Sequence, residues 1–225
     1  MGDWQVAPRV GNAACGVLCV LALGLPSGVA SGTLDVAAVV ERVQEWLDGT
    51  RDMEARFEQT LRSGALGTGL RESGKLVLQR PGKMRWDYLE PERKVALIVG
   101  DSTRLYLEED RQLWEGRLES GSLLQMLLAD DQPIDRLFDA ELLGGPDSGG
   151  EGAYRLRLLP RADPESLREI VLTLRPPVFA IDSVEVLDAA GNRMLYRFSE
   201  VRRNRGLADS IFHFEPPEGT EVIRP

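Results

Sequence analysis

The sequence predicts a mainly β protein in which one long antiparallel sheet, curved towards a barrel, follows a single helix. From Met53 onward, apolar and polar residues alternate, which is typical of strands with one apolar and one solvated face. About ten such runs are separated by short turns. Before them, Val36, Val39, Val43 and Trp46 recur at helical spacing. No linker is long enough to require a second domain.

The individual elements follow from this change of period. Gly49 is placed to end the first helix, and residues 188–192 (DAAGN) predict a hairpin turn. The predicted strands carry their apolar residues at alternate positions: Met53, Ala55 and Phe57; Leu76 and Leu78; Met84, Trp86 and Tyr88; Val95, Leu97 and Val99; Leu105 and Leu107; Tyr154, Leu156 and Leu158; Ile170, Leu172 and Leu174; Val184 and Val186; Met194, Tyr196 and Phe198; Phe212 and Phe214.

Residues 1–30 have the features of a secretory signal peptide. Arg9 precedes an uncharged run at 13–25 that is too short to span a bilayer as a helix, and small residues follow at 28–30. We expect cleavage after Ala30, which leaves residues 31–225 as a single domain. The alternative is an N-terminal anchor that is not cleaved.

The composition excludes several classes of function. The chain has 27 Lys and Arg against 36 Asp and Glu, and this net charge of -9 argues against nucleic-acid binding and a polybasic membrane contact. Both Cys residues lie in the predicted signal peptide, and His213 is the single His. We therefore expect no metal site, no cofactor and no enzymatic activity. His213 is predicted to be an exposed strand residue.

One segment, residues 122–129 (SLLQMLLA), interrupts the alternating pattern. It predicts a short helix that is apolar on more than one side, and a helix of that kind needs cover on most of its surface. Two interpretations stay open on the pattern alone: an ordinary part of the core, or a lid over an apolar cavity. Pro133 then begins a second helical turn.

Four segments in this order resemble one known family, the outer-membrane lipoprotein carriers (LolA). They are MEARFEQT at 53–60, GKLVLQRPGKMRWDYLEP at 74–91, LIVGDSTRLYL at 97–107 and IFHFEPPEGTEVI at 211–223. The resemblance implies a half-open antiparallel β-barrel lidded by short α-helices around an apolar cavity. It implies a monomeric periplasmic carrier that takes lipoprotein acyl chains from an inner-membrane lipoprotein-releasing ABC transporter to an outer-membrane acceptor.

The resemblance also implies roles for particular residues. Arg80 matches an arginine that holds the lid closed through hydrogen bonds to lid backbone. Met84 is a departure: it stands where family members often place Phe, near the cavity mouth and the expected transporter contact. From the residues alone, a surface arginine beside a turn is the favoured interpretation of Arg80. The implied lipid-binding cavity comprises Phe57, Leu76, Leu78, Trp86, Tyr88, Leu97, Leu123, Leu124, Met126, Leu127, Ile170 and Leu172. For Phe57, Trp86 and Tyr88, ordinary sheet core is the alternative.

Two other classes of protein compete with a carrier. A periplasmic lipid-binding sensor or regulatory module of the same fold would use the same apolar surface. A hydrolase is disfavoured by the single His and by the absence of a Gly-x-Ser-x-Gly sequence.

Overall fold

The computed structural model describes residues 34–64, 69–118, 133–146, 152–162 and 167–224. Helix α1 spans Val36–Asp48, a single turn α2 spans Ile134–Leu137, and a 3₁₀ turn spans Asp209–Phe212. The strands are β1 (Asp52–Arg62), β2 (Gly69–Gln79), β3 (Lys83–Glu90), β4 (Lys94–Val99), β5 (Ser102–Leu107), β6 (Gln112–Arg117), β7 (Phe138–Gly144), β8 (Tyr154–Pro160), β9 (Leu167–Arg175), β10 (Ala180–Asp188), β11 (Arg193–Arg203) and β12 (Glu221–Ile223).

All of these strands belong to one open sheet. Their order is β12-β6-β5-β4-β3-β2-β1-β11-β10-β9-β8-β7, so β12 and β7 form its two edges. Neighbours in this order pair in an antiparallel manner, including the central pair of β1 and β11, except that β12 runs parallel to β6. The predicted mainly β class with an unclosed antiparallel sheet is therefore confirmed.

Helix α1 covers part of one face of this sheet, which we call the inner face. The Asp35 carboxylate caps the helix by accepting a hydrogen bond from the backbone N–H of Ala38 at 2.8 Å. Val39, Val43 and Trp46 form its buried side and pack towards β7, β8 and β10. The predicted helix and its end at Gly49 are confirmed.

Alternation along the strands builds the main core on the inner face, because residues directly opposite in a strand pair point to the same side. Phe57, Leu156, Ile170 and Leu174 are among the side chains that are almost completely buried there. The predicted turn at 188–192 joins β10 to β11, where the N–H of Gly191 donates to the carbonyl of Asp188 at 3.1 Å.

The opposite, outer face carries a smaller core beneath residues 204–220, which we call the C-terminal strap. Phe212 of the strap packs with Val77 and Leu97. Two arginines hold the strap: Arg85 donates to the carbonyl of Ile211 at 2.8 Å, and Arg104 donates to that of Phe214 at 2.7 Å. A strand at 212–214 was predicted, and this prediction is wrong because the segment is a 3₁₀ turn followed by irregular chain.

Sequence alternation did not identify β6, β7 or β12, whereas the helical turn after Pro133 is confirmed as α2. The predicted signal peptide (1–30) and the predicted lid helix (122–129) lie outside the described residues. Among the residues that the structure describes, no helix is both long enough and apolar enough to cross a membrane.

Candidate functional site

An aromatic cluster lies at the centre of the inner face, beyond the strands that α1 covers. Phe57 is 1% exposed, and its ring meets those of Trp86 and Tyr88 edge to face, with centroids 4.6 and 5.0 Å apart. Trp86 also contacts Tyr196 at 5.4 Å and Phe198 at 6.5 Å. These rings come from β1, β3 and β11, which are close in the sheet because β2 and β3 form a hairpin beside the central β1–β11 pair. Four of the five rings remain only partly buried.

Gly74 gives the cluster its close packing. It lies opposite both Phe57 and Tyr88, and a Cβ at this position would approach the carbonyl oxygen of Asp87 to 2.0 Å and the Phe57 ring to 2.9 Å. A side chain at Gly74 would therefore separate β2 from β3.

A polar cluster adjoins the rings on the same face. The buried carboxylate of Glu72 forms an ion pair with the Lys94 ammonium group, which also lies 4.4 Å from the Tyr88 ring centroid. The Tyr88 hydroxyl donates to Gln59 Oε1 at 3.0 Å. Buried polar groups are stable only when they are paired, and each of these side chains has at least one partner within the cluster.

Burial changes the acidity of both phenols in this region. Burial is the main cause of the raised pKa of Tyr88, and the nearby Tyr196 and Glu72 add to it. Burial, with a contribution from Glu72, raises the pKa of Tyr196 to about 12. Both phenols are therefore neutral hydrogen-bonding groups at ordinary pH.

Most of the predicted cavity residues that the structure describes lie together on the inner face. Phe57, Leu76, Leu78, Ile170 and Leu172 are buried in its core, and Trp86 and Tyr88 are half-buried beside them. The other predicted members, Leu123, Leu124, Met126 and Leu127, lie outside the described residues. The assignment of these side chains to a lipid cavity remains a prediction.

Leu97 requires a correction, because the structure places it on the outer face. Its partners are Arg85 and Arg104, and it is buried against Phe212 of the C-terminal strap. Strand β4 (KVALIV) is apolar on both sides, so alternation did not distinguish Leu97 from Ile98. Ile98, which lies opposite Met84, is the β4 residue in the inner core.

Met84 is 3% exposed and packs within the inner core opposite Leu78 and Ile98. A direct partner contact through this side chain conflicts with that burial. The same alternation that groups Met84 with Trp86 and Tyr88 directs it into the core, whereas the resemblance had suggested a position at the mouth.

Arg80 is placed at the C-terminal end of α1. Its Nη1 donates to the carbonyl of Leu47 at 2.8 Å, across from Arg203, whose Nη2 donates to the carbonyl of Trp46 at 2.7 Å. Burial lowers the pKa of Arg203. Two cations at the C-terminal carbonyls also match the sign of the helix dipole. The predicted contact between Arg80 and residues 122–129 lies outside the described residues.

A cavity of about 500 Å³, lined by both apolar and charged side chains, lies between α1, α2 and β7. Val36 and Val40 of α1 face Ile134 and Phe138 across it, and Gln44 closes one side by accepting a hydrogen bond from the Ile134 N–H at 2.9 Å. Its size falls within the range of small-molecule sites. These residues are not among those predicted to line the cavity, although the helical spacing that begins at Val36 indicated an apolar stripe.

A second cavity, of about 590 Å³, lies beside the β3–β4 hairpin and the C-terminal strap. Its lining mixes charges of both signs, including Arg93, Arg111, Glu108 and Glu218, with the rings of Tyr106 and Phe214. Within the described parts of the chain, no three His, Cys, Asp or Glu side chains are arranged to hold a metal ion.

The class of fold is thus one open antiparallel sheet with a largely apolar inner face, which α1 covers in part, and with a cavity at the helix boundary. The chain matches the family model described as "Outer membrane lipoprotein carrier protein LolA" over residues 48–215. The chain belongs to this family.

Two relatives carry the same description. The outer-membrane lipoprotein carrier protein of Methylococcus capsulatus is 31% identical over 186 residues, which cover 81% of this chain and 86% of the relative. That of Cupriavidus pinatubonensis is 26% identical over 222 residues, which cover 96% and 98%. The crystal structure of an uncharacterized conserved protein from Thermus thermophilus, 15% identical, aligns with a TM-score of 0.53 over 84% of this chain and 98% of that one, and shows a shared fold.

Proposed function

We propose that this chain is a periplasmic carrier that shields lipoprotein acyl chains and moves them from an inner-membrane lipoprotein-releasing ABC transporter to an outer-membrane acceptor. Membership of the LolA family supports the carrier role. The observation in the structure that carries the proposal is the inner face, which remains apolar beyond the strands that α1 covers.

This apolar surface extends across β4 and β5 to β6, which lies next to the edge strand β12. Strand pairing aligns Trp86 with Ala96, Ala96 with Leu105 and Leu105 with Trp114 on the inner face. Trp114 lies opposite Ile223 of β12 and is 41% exposed. Trp86, Ala96 and Leu105 are partly exposed beside it, and a contiguous apolar patch of this kind is typical of a binding surface.

The energetics of acyl chains require such a surface. Each buried CH₂ is worth about 0.8 kcal/mol, so three long chains exposed to water would cost tens of kcal/mol. A carrier needs a dry surface to cover them, but no catalytic group. We accordingly propose that the protein is a monomeric binding protein and not an enzyme, and that it requires no cofactor.

Release requires that the cover over the apolar face be only marginally stable. The C-terminal end of α1 is held to the sheet by a small number of side-chain hydrogen bonds, among them those from Arg80 and Arg203. We include in the proposal the interpretation of residues 122–129 as a lid and of Arg80 as its latch. Substitution Arg80→Leu should accelerate amide exchange across 122–129 and at the end of α1. Unchanged exchange across 122–129 would refute the latch.

The direct test is to identify the molecule that is bound to the protein and to measure the uptake of lipopeptide. Native mass spectrometry of the protein isolated from the periplasm should detect bound lipoprotein, and the cargo-free protein should take up a triacylated lipopeptide from membranes. Protein that is found empty and cannot take up lipopeptide would contradict a carrier function.

Two matched variants test whether the inner face is the binding surface. Trp114→Glu places a charge in the apolar row and should weaken lipopeptide binding at least about tenfold, because the carboxylate must be desolvated by the bound chains. Val178→Glu is the control, since Val178 is 65% exposed in the turn between β9 and β10. Equal binding by both variants would place the lipid elsewhere.

A further inference from the structure

The polar cluster on the inner face is not needed by a surface that only covers hydrocarbon. It consists of Gln59, Glu72, Tyr88, Lys94 and Tyr196. Strand pairing brings it together: Gln59 lies opposite Glu72 on one side and Tyr196 on the other, and Tyr88 lies opposite Lys94. Trp86, which contacts both Tyr88 and Tyr196, joins the polar cluster to the aromatic cluster.

The Glu72–Lys94 ion pair has no evident stability rationale. The Glu72 side chain is 7% exposed and that of Lys94 is 22% exposed. Removing two charges from water costs as much as their attraction returns, and apolar replacements of similar size are often as stable or more so. A pair kept in an apolar face therefore points to a role in binding.

The cluster retains hydrogen-bond donors that face the apolar surface. Lys94 has three N–H groups, of which the ion pair with Glu72 uses part. The Tyr196 hydroxyl lies 3.7 Å from Met194 Sδ, and a thioether sulfur is a weak acceptor that a carbonyl oxygen would readily replace. Tyr196 is protonated over the whole ordinary pH range, since burial raises its pKa to about 12.

The charge of the site selects the kind of acceptor. Lys94 and Glu72 sum to zero, so an anionic phosphate or carboxylate placed against Lys94 would meet repulsion from Glu72. A neutral carbonyl oxygen meets none. In a low-dielectric surrounding, a hydrogen bond from a charged donor to such an oxygen is stronger than one between neutral groups.

We propose that this polar cluster is a subsite for the ester carbonyl oxygens of a bound acyl lipid, with Lys94 and Tyr196 as donors and Glu72 as the residue that positions Lys94. The subsite rests on the proposed carrier function, and it fixes the depth at which the glyceryl end of a lipoprotein is held while the acyl chains lie along the apolar row. It would thereby favour acyl esters over other hydrocarbon ligands.

The test compares two probes with the full-length protein: a synthetic triacylated lipopeptide with ester-linked chains, and its analogue in which ether links replace the esters. The chains are equal in length, so only the carbonyl acceptors differ. We expect the unmodified protein to bind the ester probe about tenfold more tightly than the ether probe.

The variants remove the donors without leaving a buried charge unpaired. The double substitution Glu72→Leu with Lys94→Met should bring the ester-to-ether affinity ratio close to one while ether binding is retained. Tyr196→Phe, which changes a single hydroxyl, should reduce the ratio by about threefold and covers the case in which the double variant does not fold. Lys75→Met is the control, because Lys75 is an exposed lysine of β2 that lies opposite Asp87 rather than in the cluster.

The outcomes separate the two proposals. Tight binding of both probes with a ratio near one in the unmodified protein would overturn the subsite and leave the carrier function standing. A ratio that survives in the double variant and in Tyr196→Phe would also overturn it. Failure of the unmodified protein to bind either probe would contradict the carrier function and the subsite together.

Discussion

Arg203 holds Trp46 in two ways at once: its Nη2 donates to the Trp46 carbonyl at 2.7 Å, and its guanidinium carbon lies 4.5 Å from the Trp46 ring centroid. The hydrogen bond fixes the last turn of α1, and the cation–π contact fixes the ring that anchors this turn to the core. Strand β11 ends at Arg203, so the end of a central strand determines where the helix sits on the sheet.

Replacing Arg203 should therefore release the end of α1. We expect Arg203→Met to lower the free energy of unfolding by about 2–3 kcal/mol, from the loss of a charged hydrogen bond and the ring contact. Urea denaturation followed by tryptophan fluorescence measures this. The control is Arg155→Met, at an exposed position of β8. Equal stability of the two variants would show that α1 is held by its apolar side alone.

Gly74 should tolerate no side chain. In Gly74→Ala the new methyl group would meet the Asp87 carbonyl, so we expect a loss of about 2–4 kcal/mol in unfolding free energy through strand displacement. Gly69→Ala on the same strand is the matched control, since its Cβ would lie 3.7 Å from the nearest atom. Thermal denaturation of both variants compares them, and a stable Gly74→Ala protein would contradict the close packing of β2 on β3.

Stability should decline in strongly alkaline solution because of the two buried phenols. Their pKa values are raised in the folded protein, that of Tyr196 to about 12, while the unfolded chain ionises near pH 10. Their contribution is complete below about pH 10 and is lost as the pH rises towards the folded-state values. Melting temperatures measured across this range should fall less steeply for Tyr196→Phe. A fall of the same slope in this variant would assign the effect to other groups.

Asp52 should be required to hold the first residues of the C-terminal strap in place. This buried carboxylate accepts hydrogen bonds from the backbone N–H groups of Arg205 at 2.7 Å and Gly206 at 3.0 Å. Asp52→Ala leaves two donors without that acceptor, and we expect a loss of about 2–3 kcal/mol. Asp101→Ala, at an exposed position, is the control. Hydrogen exchange should show faster exchange at 205–206 in Asp52→Ala only, and unchanged protection there would contradict this role.

The sequence alone was sufficient for those elements whose spacing of apolar residues fits only one type of secondary structure. The alternation of Met84, Trp86 and Tyr88 with charged residues fixes both the strand and its inner face, and the helical spacing of Val39, Val43 and Trp46 fixes the buried side of α1. Pairing partners and strand order were beyond this reasoning, because they depend on contacts between residues far apart in the chain.

The errors have physical causes that the sequence does not reveal. Leu97 was assigned to the wrong face because both faces of β4 are covered, one by the inner core and one by the C-terminal strap. Phe212 and Phe214 alternate like strand residues. Each instead packs separately on the outer face and attaches the strap to the sheet. The polar cluster was not predicted either, since Gln59, Glu72 and Lys94 come from three strands.

The pairing of β1 with β11 at the middle of the sheet has a consequence for how the chain folds. Met53 pairs with Arg203, so the strand pairing that joins the two halves of the sheet connects the first strand to nearly the last. Hairpins can form early within each half, but this closure has a large entropic cost and waits until almost all of the polypeptide is available. Until then the apolar side of each half stays uncovered, and an incompletely folded chain is correspondingly prone to aggregation.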